Sequence, residues 1–310
     1  MEMTLVSLNN AAVDGSIDEI IRVAEARQRK RLGAIADNIC ARSDVRIVLL
    51  SGASSAGKTT TATRLCTQLR VNDKEAVLVS TDDYFVGDKL NPRDENGNLD
   101  YEHIECVDIA KFTADMNALL SGETILRRRF DFQKHEGYIS DEKRCLPPGG
   151  IIVIEGIHAL NPRLCEGIDE KGRFGIFIDP VPSIDIFGGI KPKSRDARLL
   201  RRLVRDNRFR KMSPAETFRM WPNVIAGEEK WIEPFRNLAD ELFDSYLCYE
   251  LAVLKPYAGG LLELARKELG EKKEIMDLIR TLNPVTAISS VSVPGDSILR
   301  ETIGGSQLDY

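Results

Sequence analysis

Gly52-Ala-Ser-Ser-Ala-Gly-Lys-Thr59 fills every fixed position of the pattern G-x-x-x-x-G-K-[ST]. Its flanks decide how it folds. Arg46-Ile-Val-Leu-Leu-Ser51 before it is apolar enough for a buried strand, and Thr60-Thr-Ala-Thr-Arg-Leu-Cys-Thr-Gln-Leu69 after it suits a helix. Strand, loop and helix in that order form a phosphate cradle. Gly52 and Gly57 let the backbone wrap closely, so successive N–H groups across Ser54, Ser55, Ala56 and the first turn, Lys58, Thr59 and Thr60, face phosphate oxygens. The helix starting near Lys58 adds the positive end of its dipole. Lys58 is placed to reach the β- and γ-phosphates of a nucleotide, and the Thr59 hydroxyl to ligate Mg²⁺. The motif alone does not name an acceptor.

The rest of the composition bounds the class. The chain has 310 residues, 43% of them hydrophobic, enough for one large or two ordinary domains with a sizeable core. No apolar run approaches the ~20 residues that span a bilayer, and Met-Glu-Met-Thr-Leu-Val-Ser-Leu-Asn-Asn10 lacks the basic start of a signal peptide. Six scattered cysteines without C-x-x-C spacing read as reduced thiols. A cytoplasmic enzyme is expected. The formal net charge of −5 argues against a nucleic-acid partner, yet Lys191 to Lys211 holds ten Lys/Arg against Asp196 and Asp206. That local +8 leaves −13 for the remainder and needs an explanation.

Along the chain, Ser16 with Glu19 predicts a capping box for an amphipathic helix to about Ala41. Strands are expected at 46–51, 76–80, 151–154 and 174–178, with a helix over 107–120 and a hairpin from 124–132 back through Tyr138. Asn91-Pro-Arg-Asp-Glu-Asn-Gly-Asn98 reads as a loop. Helices are expected at 194–211, 213–221, 228–254 and 259–282. Strands alternating with helices predict an α/β fold of the P-loop NTPase type: a parallel sheet with helices on both faces and a helical lid. The division reads as a helical extension over 1–43, a kinase-sized domain over 44–282 with a lid about 191–212, and a polar tail over 283–310 that either docks or stays loose.

In such a sheet ligands sit beyond the carboxyl ends of the strands. Asp82, Glu155 and Asp179 each follow an expected strand. Phosphoryl transfer needs a carboxylate to hold Mg²⁺ and a group to orient the attacking hydroxyl. Glu155 suits the first task and Asp82 the second, while Asp179 reads as a loop cap. Arg198, Arg201, Arg202 and Arg205 share one helical face. Four like charges there call for an anion, and polyphosphate is the candidate, which makes the segment a lid closing over ATP. No aromatic interleaving supports nucleic acid instead. Phe130 and Phe132 stand near His135 and could stack on a planar ligand. Asp94-Glu-Asn-Gly97 matches the GTPase D-x-x-G in letters only.

Taken together, the chain resembles the uridine kinase/phosphoribulokinase family of P-loop kinases, and within it bacterial uridine kinase-like proteins that often carry an N-terminal TGS module. No such module is expected, since about 45 residues precede the first strand. The resemblance rests on Gly52–Thr60, Ser80-Thr-Asp-Asp-Tyr-Phe85, Leu99-Asp-Tyr-Glu102, Phe130-Asp-Phe132, Ile154-Glu-Gly-Ile-His-Ala-Leu-Asn161 and Arg195–Asp206, and runs on to Ser297-Ile-Leu-Arg-Glu-Thr-Ile-Gly-Gly305. It implies ATP and Mg²⁺ at Lys58, Thr59 and Glu155, and Asp82 as the catalytic aspartate acting with Lys58 and Arg205. It implies lid and substrate arginines at Arg202, Arg205 and Arg210, a ribose-holding acid near Asp100, and base contacts at Phe130 and His135. Tyr84-Phe85 falls on the substrate side but reverses the usual Phe-Tyr order, and Met212 and Met220 stand where the family has an arginine and a glutamine. Pyrimidine selectivity depends on such hydrogen bonds.

The expected activity is transfer of the γ-phosphate of ATP to a small-molecule alcohol, first a nucleoside 5′-hydroxyl. The alternatives are another acceptor, such as a sugar phosphate or a pantothenate-like alcohol, or a nucleotide-dependent regulatory or RNA-associated protein with weak kinase chemistry. A homo-oligomer stays open.

Overall fold

The structure, a computed structural model, describes residues 3–94, 97, 99–168, 172–186 and 191–309. The expected loop over 91–98 and its D-x-x-G lie partly outside these residues. Five strands make one parallel sheet: β1 (Ile47–Ser51), β2 (Ala76–Ser80), β5 (Ile151–Glu155), β6 (Arg173–Asp179) and β7 (Glu241–Asp244), in the order β2-β5-β1-β6-β7. A separate antiparallel hairpin joins β3 (Thr124–Asp131) to β4 (Glu136–Cys145).

The strand sequences explain why the sheet is covered twice. In β1, Ile47 and Leu49 pack to one side with Ile152, Ile154 and Phe177, against Phe112, Met116 and Leu119 of α4 (Ile109–Leu120). Val48 and Leu50 face the other way, with Val153, Ile176 and Ile178, against α2 (Ile17–Ala41) and α3 (Lys58–Val71). An alternation of period two with apolar residues at every position needs helices on both faces.

A second, helical core forms around α5 (Ser194–Phe209). Packed with it are α1 (Leu5–Asp14), α6 (Pro214–Trp231), α7 (Glu250–Leu269), α8 (Lys273–Leu282) and α9 (Ile298–Ile303). Among the described residues no helix is long and apolar enough to cross a membrane.

Several expected elements differ, each for a local reason. Ser16 makes no capping hydrogen bond to α2, and its hydroxyl goes back to Asp14. The capping box belongs instead to Thr4 and Ser7, which start a helix the sequence reading left out. The helix expected over 228–254 is broken: Pro234 opens a 3-10 turn over Glu233–Leu238, then β7 adds an edge strand. Only Phe243 of β7 is buried while Leu242 is exposed, so its sequence carried little strand signal. The helix expected to end at 221 instead runs through Pro222 to Trp231. The one expected over 259–282 divides after Leu269, where Gly270 takes a positive φ of 78°. The tail docks: Val285, Ile288, Val293, Leu299 and Ile303 are buried in the helical core.

Candidate active site

All five parallel strands end at the same edge, and the phosphate loop lies across it. Ser80 and Glu155 are register partners on β2 and β5, while Leu50 of β1 pairs with Glu155 from the other side. The loop itself needs its glycines. A Cβ on Gly52 would stand 2.3 Å from the Ile178 carbonyl oxygen, and Gly57 combines a φ of 89° with a Cβ position 2.6 Å from Ile298 Cγ2. Ser55 also takes a positive φ, 63°.

The basic helix α5 holds this loop from behind. Arg198 and Arg201 are each 1% exposed. Arg198 pairs with Glu228 at 2.6 Å and donates to the Ser54 carbonyl at 3.4 Å. Arg201 pairs with Glu250 at 2.6 Å and donates to the carbonyls of Ser55 and Ala56 at 3.5 and 3.4 Å. With the carbonyls of Ser54, Ser55 and Ala56 held by α5, the loop's N–H groups can face a ligand, except that of Ala56, expected among them, which is turned onto the Ala53 carbonyl at 3.1 Å. The segment expected as a lid over ATP is therefore in part buried scaffold: Arg198, Arg201 and Arg202 are all buried, the first two holding the loop, and the opposite face of α5 is Leu199, Leu200, Leu203 and Val204 in the core.

Three further arginines cluster on one acid. Arg202 lies 3.1 Å from Asp206, Arg205 2.7 Å and Arg210 3.8 Å. Arg202 also donates to the Ser54 hydroxyl at 2.9 Å. Burial works against the Asp206 carboxylate, but Arg205, Arg202 and Arg210 hold its pKa below the ordinary range. The positive charge of Arg205, with burial, lowers Arg210 to about 10. Such a group of cations is short of negative charge.

Of the acids opposite, Glu155 is buried and Asp82 half-buried. Asp82 sits in a 3-10 turn after β2, its Oδ1 buried without a hydrogen-bond partner. Burial raises its pKa, and Lys58, Arg210 and Arg205 pull it back. Glu155 accepts from the hydroxyls of Ser80 at 2.6 Å and Thr59 at 3.4 Å. Burial, and then the charge of Asp82, lifts Glu155 to about 7. A carboxylate and two hydroxyls around a point lacking positive charge are hard oxygen donors that suit Mg²⁺. Lys58 Nζ rests on the Ala53 carbonyl at 3.1 Å.

On the acceptor side the structure sorts the candidates. Phe85, Phe130 and Phe132 form an edge-to-face group with ring centroids 5.1 to 6.3 Å apart, and Arg210 lies over Phe132 at 4.8 Å. A cavity of about 350 Å³ opens there, lined by Phe130, Phe132, Phe209 and Arg210 among others. His135 sits in the β3–β4 turn, 3.2 Å from Asp88 and 3.4 Å from the Tyr101 hydroxyl.

Two expectations need correction. Tyr84 points into the core, its ring against Phe112 and its hydroxyl on Asp115 at 3.1 Å, so it is not on the substrate side. Asp100 caps the backbone N–H of Glu102 at 3.1 Å. The acid that reaches the site is Glu102, whose Oε2 is buried without a hydrogen-bond partner. Burial raises Glu102, and Arg202 and Lys58 oppose that. The sequence reading missed it, although it lies in the same Leu99–Glu102 run. Asp179, expected as a loop cap, instead accepts from two side chains, the Ser194 hydroxyl and, at 3.3 Å, Arg236.

Residues 47–251 match the phosphoribulokinase / uridine kinase family. The chain belongs to that family. It is an ATP-dependent kinase. Among relatives, a uridine kinase of Halalkalibacterium halodurans is 28% identical over 196 residues, 63% of this chain and 83% of that protein. One of Halobacterium salinarum is 26% identical over 193 residues, 62% and 76%. A possible uridine kinase from Bacillus stearothermophilus, of known structure, is 20% identical with a TM-score of 0.45, covering 71% of this chain and all of that one.

Proposed function

We propose that this kinase transfers the γ-phosphate of ATP to the hydroxyl of a small alcohol, and that the 5′-hydroxyl of a pyrimidine nucleoside is the first acceptor to consider. The observation that carries the reading is Asp82: a buried carboxylate oxygen without a partner, facing Lys58, Arg205 and Arg210. A nucleotide switch has no use for such a group, whereas a kinase needs it to take the acceptor's proton. Lys58 and the loop N–H groups orient the polyphosphate. Arg202, Arg205 and Arg210 stabilise charge on the transferring group. Thr59 and Glu155 would hold Mg²⁺, which when bound neutralises charge across the phosphates. Glu102 accepts from acceptor hydroxyls, and Phe85 and Phe130 with His135 enclose the rest of the acceptor. The uridine kinase relatives support a nucleoside. We place the enzyme in the cytoplasm, in keeping with its six free cysteines.

The test is ATP consumption by the purified chain with nucleosides, sugars, sugar phosphates and vitamins, beside Lys58→Ala. Turnover with uridine or cytidine, lost by about three orders of magnitude or more in Lys58→Ala, is expected. Turnover only with a sugar phosphate would replace the acceptor, and no turnover with any of them would replace the kinase reading by a regulatory one.

A further inference from the structure

The phosphate loop has a neighbour from the far end of the chain. α9, part of the Ser297–Gly305 run that carries the resemblance but beyond the matched residues 47–251, packs on α5 and α3, with Ile298, Leu299 and Ile303 buried. Ile298 covers Gly57 so closely that a Cβ there would meet it. One turn further on, Glu301 Oε2 accepts a hydrogen bond from Thr60 Oγ1 at 3.0 Å. A small cleft remains between them, lined by Ser55, Gly57, Arg205, Glu301 and Thr302 among others.

A carboxylate beside a polyphosphate site is unfavourable by charge alone. Its influence is felt: Glu301 adds to the burial that raises Asp82 and Glu155. A residue that only filled space would do better as an aliphatic, as Ile298 does one turn earlier. The hydrogen bond supplies the reason for an acid. Thr61 and Thr63 bond back to carbonyls of their own segment, at 2.7 and 2.9 Å. Thr60 reaches across the chain to Glu301, and that contact ties the first turn of the helix that carries Lys58 and Thr59 to α9.

We infer that Glu301 is a positioning residue of the phosphate-donor site, holding Thr60 at the mouth of the phosphate loop and making α9 part of the nucleotide-binding machinery. The inference rests on the loop being the ATP site. It is tested by calorimetric titration of the full chain with ATP and Mg²⁺, with a thermal melt of every variant. Glu301→Ala, which removes the acceptor, should weaken ATP about tenfold, because the first turn behind Lys58 loses its fixed position and this outweighs the relief of charge repulsion. Glu301→Gln keeps an acceptor oxygen and should bind no more than about threefold more weakly than the parent. Thr60→Val should also weaken ATP by about tenfold or more, and the loss in the double variant should fall short of the product of the two single losses, because both remove the Thr60–Glu301 contact.

If the parent itself fails to bind ATP, the reading of the loop is wrong and this inference falls with it. If the parent binds while Glu301→Ala binds equally well, or the two single losses multiply in the double variant, the inference alone is overturned. Should Glu301→Ala not fold, Thr60→Val carries the test, and parent-like affinity there overturns it.

Discussion

Asp206→Asn is the most direct probe of how the arginines are organised. The parent carboxylate is fully buried and holds Arg202, Arg205 and Arg210 at 3.1, 2.7 and 3.8 Å. Asparagine keeps the shape but leaves three cations facing each other without a counter-charge. Breaking one partner out of a buried ion pair costs about 3–5 kcal/mol. The amide oxygen still accepts one hydrogen bond, and the Arg210 side chain is 34% exposed and screened. The lower end, about 3 kcal/mol, is therefore expected in urea unfolding at neutral pH and low salt. The parent's pKa is below the ordinary 3.8, so its advantage is fully present above that value and fades as the pH falls below it. The variant's arginines then lack an anion, and inorganic pyrophosphate should supply one. Saturating pyrophosphate should stabilise the variant more than the parent, through tighter binding to the folded state alone. A loss under about 1 kcal/mol, or equal stabilisation of both proteins by pyrophosphate, would refute the reasoning.

Asp82→Asn should lower kcat by about two to four orders of magnitude with ATP affinity nearly intact, and full turnover would remove Asp82 as the base. Tyr84→Phe should cost about 1 kcal/mol of stability, measured by urea unfolding, and leave the acceptor KM within about twofold; a tenfold rise in KM would return Tyr84 to the acceptor pocket. Glu155 ionises near 7 in the fold against an ordinary 4.5, so the folded chain binds the extra proton between those values and stability declines as pH rises through that window. In metal-free buffer Glu155→Gln should gain up to about 3 kcal/mol at pH 8 and nothing below about pH 4. A variant less stable than its parent at pH 8 contradicts this.

Much of the donor side was legible because it is contiguous. Gly52–Thr59 with its two flanks carries the strand, the turn and the helix start in one stretch, and aliphatic runs ending in Ser80, Glu155 and Asp179 mark strand ends without any knowledge of their order. What was not legible depended on burial by distant parts of the chain. The spacing of Arg198, Arg201, Arg202 and Arg205 is the same whether that face meets solvent or Glu228 and Glu250, which lie 30 and 49 residues away. Asp100 and Glu102 are acids of similar chemistry two positions apart, and only the turn that uses Asp100 as a cap decides which carboxylate faces Arg202 and Lys58. Tyr84 looks like a substrate residue until Phe112 and Asp115, from a helix 25 residues on, claim its ring and hydroxyl. The tail is rich in Ser, Gly and Thr, and its spaced aliphatics become a pattern only against the groove between α5 and α7.

The partnership of Thr60 and Glu301 spans 241 residues of chain. At roughly 5–20 residues per second of synthesis, the phosphate loop leaves the ribosome some tens of seconds before its cover exists. During that interval Gly57 lacks Ile298, and the groove that α9 fills is open to the surrounding proteins. The newborn chain therefore passes through a stage in which the apolar surface later covered by Ile298, Leu299 and Ile303 lies open beside the phosphate loop.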